Sequence, residues 1–201
     1  MVSNRCDSLD PRIRRTRQLL QQSLEKLLET KDFDRISVQD IADLATVNRA
    51  TFYDHYNDKS ALLTAMVGCR FHQFLAERQV HFDGTCALAL QAMVLAVSEY
   101  LTHMQGPDGK REPEPHMESA IIAVLRHLLL EGLSQHPPKD GLPVELVAAA
   151  AGWAIYGAVK EWTHTANRTT AEALAVTVMT MVAPILQVPF AQAPEPALLN
   201  S

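Results

Sequence analysis

Few of the features that announce a function are present in this 201-residue sequence. Cysteine is scarce: Cys6, Cys69 and Cys86 are an odd number at wide spacing, with no CxxC pair and no Cys/His cluster of zinc spacing. A disulfide-stapled scaffold and a structural zinc site are thereby excluded, and a reducing, cytoplasmic setting is expected. The opening Met-Val-Ser-Asn-Arg-Cys-Asp is polar and lacks the apolar stretch of a secretory signal. In the C-terminal half the uncharged, small-residue-rich run from Leu146 to Val159 has 14 residues. That is short of the roughly 18 that suggest a membrane span, so a buried helix is expected and no membrane partner. There is no phosphate-binding Gly loop, no Glu-x-x-His pair and no nucleophile elbow. No catalytic residue and no cofactor is therefore assigned, and an enzyme is not expected. His103, His116 and His127 fall on separate segments with no HxxxH spacing, so no metal site is assigned and solvated or capping roles are expected of them. Alternating valine- or isoleucine-rich runs are missing as well, which removes β-structure.

What remains is helical. Hydrophobic residues make up 47% of the chain and charged residues 20%, and a chain of this length buries roughly 70% of its unfolded surface, enough for a core without staples. Apolar residues recur at three and four, the α-helical period. A first helix is expected from Pro11 to about Thr30, with Ile13, Leu20, Leu24, Leu27 and Leu28 on one stripe. Ser37 reads as the N-cap of a short helix to Leu44, with Asp40 at N3 completing a capping box. After Ala45-Thr46-Val47, Asn48 caps a second short helix to His55, and Asp58 caps a longer one from Lys59 to about Gln79. Further helices are expected at about 85–104, 116–135, 143–166 and 170–187. They are separated by Pro- and Gly-containing loops at Gly106–Pro115 and His136–Pro143. The chain divides into residues 1–60, residues 61–188 and a flexible tail at 189–201.

The net charge of −5 argues against a nucleic-acid partner only while it is treated as one number. Ten of the 18 basic and ten of the 23 acidic residues lie within the first 60, so the whole −5 belongs to the remainder. Within the first part, Arg5, Arg12, Arg14, Arg15 and Arg17 face only Asp7 and Asp10, a local excess of three positive charges suited to a phosphate backbone.

A long amphipathic helix followed by two short capped helices around a four-residue turn is the layout of a helix-turn-helix. Residues 36–63 resemble the DNA-binding signature of the TetR family of transcriptional regulators, most strongly at Thr51-Phe-Tyr-Asp-His-Tyr-Asn-Asp-Lys59 followed by Leu62-Leu63. The resemblance covers about residues 12–65. It departs at Thr46, where the family usually has Gly; a β-branched residue is unfavourable where φ is positive, so an altered or strained turn is expected.

The resemblance implies an all-α protein: a three-helix helix-turn-helix DNA-binding domain followed by a helical ligand-binding and dimerisation domain. The N-terminus of the helix at Ser37, Val38 and Gln39 offers backbone N–H groups to a phosphate, and Gln39 also reaches toward a base edge. Asn48, Arg49, Ala50 and Thr51 form the leading end of the recognition helix. Arg49 is suited to guanine O6 and N7, and Ala50 to a thymine methyl. Asp54, if it faces DNA, has only cytosine N4 to contact. Tyr53, His55 and Lys59 match family positions that hold the DNA backbone, although an amphipathic tyrosine suits packing too. Phe52 and Tyr56 are expected in the core. Of the arginines, Arg14 is assigned to the DNA; each of the others equally suits phosphate contact or solvation of the helix start.

The implied partners are double-stranded DNA with a palindromic operator, a second copy of the chain docked through the helices at about 143–166 and 170–187, and an unidentified small-molecule effector. Met93, Val97, Tyr100, Met104, Leu125, Leu128, Trp153 and Tyr156 are candidates for the effector-pocket wall, against the plainer reading of such stripes as core. The implied function is a repressor released by its effector. The competing readings are a helical interaction protein that has lost DNA binding and, more remotely, a helical-bundle enzyme.

Overall fold

Asp10 opens the first helix by accepting the Arg12 backbone N–H at 2.8 Å, and Pro11 occupies the position where a missing N–H costs nothing. The computed structural model describes residues 10–104 and 115–188. Arg5, the loop from Gly106 up to Pro115 and the tail from residue 189 lie outside the described residues. Among those described there are eight α-helices and no strand: α1 (Pro11–Leu28), α2 (Val38–Leu44), α3 (Arg49–His55), α4 (Lys59–Glu77), α5 (Ala87–Met104), α6 (Pro115–Gln135), α7 (Val144–His164) and α8 (Ala171–Leu186). The chain forms two compact units. The first holds residues up to His72 with α6 as far as Val124, and the second holds the rest. The cut falls within α4 and α6, so neither unit coincides with the division at residue 60 that composition suggests.

In the first unit α1, α2 and α3 pack on one another. α1 buries Leu20 and Leu24 completely, each such burial contributing about 1.5–3 kcal/mol. A 3-10 turn at Phe33–Arg35 then carries Phe33 into the core. Ser37 and Asp40 form the expected capping box: the Ser37 hydroxyl accepts the Asp40 N–H at 3.1 Å, and the Asp40 carboxylate accepts the Ser37 N–H at 2.8 Å. Asn48 caps α3 through the Ala50 N–H at 3.0 Å, and Asp58 caps α4 through the Ala61 N–H at 2.7 Å. Between α2 and α3 the backbone turns through Thr46 at φ 57°, with the Val47 N–H returning to the Ala42 carbonyl at 3.0 Å.

In the second unit α5, α7 and α8 pack mutually. α5 is long and apolar enough by composition to cross a membrane, but half of it is buried within the protein, as befits a core helix. Two glycines permit a close approach here. Gly84 has φ 95°, and a Cβ on Gly132 of α6 would lie 2.7 Å from the Phe82 carbonyl oxygen. Thr170 caps α8 by accepting the Ala173 N–H at 3.3 Å, and Gln187 ends it in the left-handed conformation.

Candidate nucleic-acid interface

The turn at Thr46 and the caps at Ser37 and Asn48 fix which faces of α2 and α3 point outward. Phe52 is fully buried and Tyr56 nearly so, their ring centroids 6.1 Å apart, so this edge of α3 is core, as their spacing predicts. The opposite edge is left to solvent: Asn48, Arg49, Ala50 and Tyr53 are exposed, and Thr51 and His55 half-buried. Arg49 and Tyr53, one turn apart, form a unit. A guanidinium N–H of Arg49 donates to the Tyr53 hydroxyl at 3.4 Å, and its carbon lies 5.7 Å from the ring centroid. Exposed contacts of this kind are weak and exchange readily for base or phosphate acceptors. Gln39 is likewise exposed, its amide donating to the Asp43 carboxylate at 2.7 Å. Arg14 is exposed on α1 and Val38 is half-buried at the start of α2.

Two residues expected to hold phosphate are committed elsewhere. The Ser37 hydroxyl, besides accepting from the backbone, donates to the Asp40 carboxylate at 2.7 Å. Hydrogen bonds from Ser37, then the nearby Lys31, hold the Asp40 carboxyl at about 2, well below its ordinary 3.8. An ionised carboxylate thus occupies the start of α2, where an incoming phosphate would be repelled. Lys59 spends its ammonium inside the protein. It donates to the carbonyls of Phe33 at 2.8 Å, Ile36 at 2.9 Å and Asp34 at 3.3 Å, and lies 4.5 Å from the Phe33 ring centroid. Lys59 is a clasp on the 3-10 turn.

Arg17 acquires a definite place that sequence alone leaves open. Its guanidinium lies 5.6 Å from the Tyr56 ring centroid, and its Nε is buried with no hydrogen-bond partner. Burial, then the positive charge of Arg17, push the neighbouring His55 imidazole below its ordinary value, while Asp54 acts in the opposite direction.

Of the effector-pocket candidates, Met93, Val97 and Leu125 are fully buried in the second unit, Tyr156 and Leu128 nearly so, and Tyr100 and Met104 half-buried. Trp153 departs from that reading. It is 56% exposed on the outer face of α7, on one stripe with Leu146 at 67%, because α7 buries its other edge through Val147, Ala151 and Ile155. His116, expected to be solvated or to cap a helix, belongs to the first unit. Its Nε2 lies 2.9 Å from an Asp34 carboxylate oxygen, and its ring is 4.8 Å from that of Phe33. Among the described residues no three His, Cys, Asp or Glu side chains gather to hold a metal.

Residues 23–66 match the family profile of bacterial regulatory proteins of the tetR family. This segment is therefore similar to part of the tetR-family regulators. Over 60 residues it is 43% identical to the uncharacterized HTH-type transcriptional regulator YxbF of Bacillus subtilis (strain 168), a match spanning 29% of this chain and 16% of that protein. A TetR transcriptional regulator from Streptococcus agalactiae 2603V superimposes with a TM-score of 0.50 over 85% of this chain and 95% of its own, at 24% identity. That likeness extends the TetR fold to the helices beyond the matched segment. FadR of Thermus thermophilus, a repressor solved with lauroyl-CoA, has a TM-score of 0.48 at 18% identity, over 90% of this chain and 100% of its own.

Proposed function

We propose that the protein is a cytoplasmic, non-enzymatic transcriptional repressor of TetR type. It binds a palindromic operator in double-stranded DNA as a homodimer and is released by a small molecule bound among the helices of the second unit. The observation that carries this reading is the capped α2–turn–α3 unit, which buries Phe52 and Tyr56 while exposing Asn48, Arg49, Ala50 and Tyr53. A short helix held this way presents its N-terminal side chains to the major groove. Arg49 reads guanine, Ala50 suits a thymine methyl, and Gln39 with Tyr53 fixes the register.

One such unit covers a single half-site, so specificity calls for two copies related by a two-fold axis. The outer faces of α7 and α8 supply the contact. Leu146, Ala150, Trp153 and Gly157 form one exposed stripe on α7, and Val176, Met181 and Ile185 lie exposed on α8. Small residues beside a large aromatic let two helices approach closely while the indole fills the gap. A self-complementary apolar face of this kind is buried by a second copy. The effector works by linkage: a molecule that binds better to the conformer with misplaced recognition helices lowers DNA affinity by the factor by which DNA lowers its own, typically about 1–3 kcal/mol.

The test is a mobility-shift titration with the DNA upstream of the protein's own gene. Arg49→Ala should weaken binding by about tenfold or more, the cost of a lost bidentate base contact, and Tyr53→Phe by less. Unchanged binding in both variants would place the interface elsewhere.

A further inference from the structure

Asp43 is an acid in a place that suits acids poorly. It stands in the last turn of α2, where the carbonyl end of a helix disfavours negative charge, and that turn carries no basic residue. It is exposed, on a surface that the proposed ligand would approach with its phosphates. Its carboxylate accepts the Gln39 amide N–H at 2.7 Å, one helical turn back and on the same face. Its backbone is held as well, because the Asp43 carbonyl accepts the Thr46 N–H at 3.1 Å and so belongs to the turn between α2 and α3. A side chain that breaks the local rules of charge, yet is anchored and aimed at a neighbour within the candidate interface, points to a role in choosing sequence.

The direction of the Gln39–Asp43 bond decides what Gln39 can read. A free glutamine amide is an ambiguous reader, since either its carbonyl oxygen or its NH2 group can be turned to a base. A carboxylate accepts hydrogen bonds and donates none, so Asp43 holds the NH2 end of the amide through one of its two N–H groups. The Oε1 acceptor and the second N–H remain together for a base. That fork matches adenine, whose N6 donates and whose N7 accepts. Guanine presents acceptors at both O6 and N7 and would set O6 against Oε1, thymine offers only the O4 acceptor, and cytosine only the N4 donor. Turning the amide over to suit guanine would break the bond to Asp43 and set Oε1 against the carboxylate. We infer that Asp43 is a positioning residue that fixes the Gln39 amide for adenine, so that α2 specifies one base of each half-site. The inference rests on the DNA-binding reading above and adds to it a base identity and the residue that sets it.

Selection of the full-length protein against a random duplex library yields the preferred half-site without a known operator. Fluorescence anisotropy on the selected duplex and its single-base variants then gives affinity ratios. Gln39→Ala locates the position in question as the one where preference is lost. There the wild type should carry adenine, favoured over guanine by about tenfold or more. Asp43→Asn, an isostere that both donates and accepts, should lower that ratio by about fivefold or more, and Asp43→Ala should do the same. Both should raise affinity for every sequence alike, since a negative charge is gone. Asp43→Glu keeps an acceptor-only group and should keep the adenine preference; thermal unfolding confirms that each variant is folded. A purely structural role for Asp43 would shift stability or overall affinity and leave the ratio at this one position where it was. A base other than adenine there, no position located by Gln39→Ala, or a ratio that Asp43→Asn and Asp43→Ala leave unchanged, overturns the positioning role and leaves DNA binding standing. A wild type that enriches no sequence and binds no duplex overturns the DNA-binding reading itself.

Discussion

At the scale of single residues, the turn of the helix-turn-helix shows how a local cost is carried. Thr46 sits at φ 57° with its side chain exposed, so the strain of a β-branched residue in the left-handed region is not repaid by packing. What holds it there is the surrounding geometry, with the Thr46 and Val47 N–H groups returning to the Asp43 and Ala42 carbonyls at 3.1 and 3.0 Å. Thr46→Gly removes the steric cost while adding some freedom to the unfolded chain. The variant should be more stable by about 1 kcal/mol, read as a rise in the urea midpoint with an unchanged m-value. A loss of stability would mean that the threonine side chain contributes something its exposure does not suggest. This strain was legible in the sequence, because the turn position and the residue type conflict without reference to any distant partner. Arg17 was not. Five arginines near the chain start look alike until tertiary packing sets one of them against Tyr56 and buries its Nε.

At the scale of elements, the helix starts were legible for the same reason. The Ser37, Asn48 and Asp58 caps each act on N–H groups two or three residues downstream, and a cap that bonds its own segment is written in that segment. The 3-10 turn at Phe33–Arg35 was not foreseen, since three residues carry no period and their stability comes from a distant side chain. Lys59 reaches back 23 to 26 residues to hold the carbonyls of Ile36, Asp34 and Phe33. Its place in the motif suggests a phosphate ligand, and only the packed structure shows that its donors are engaged. Lys59→Met keeps the stem and removes the ammonium, stranding partly buried carbonyls. It should cost about 2 kcal/mol of unfolding free energy while leaving the salt slope of DNA binding unchanged. A folded Lys59→Met protein with undiminished stability and a reduced salt slope would return this lysine to the DNA backbone.

At the scale of the whole molecule, the division of charge and of apolar surface follows the proposed division of labour. The first 60 residues are neutral overall, with arginines gathered toward the start of α1, and the acidic excess lies beyond them. The helical class was readable from periodicity, whereas the outward placement of Trp153 was not, because an aromatic residue at helical spacing reads the same whether it meets its own core or a second copy. The central claim is that two recognition helices, one from each of two copies, read a two-fold site in DNA. A hydroxyl-radical footprint of the wild-type protein on the DNA upstream of its own gene tests it most directly. The account predicts two protected half-sites related by a two-fold axis, their centres about one helical turn or a multiple of it apart, with protection fading in Arg49→Ala. Protection of a single unpaired site, or a footprint that Arg49→Ala leaves intact, would contradict it.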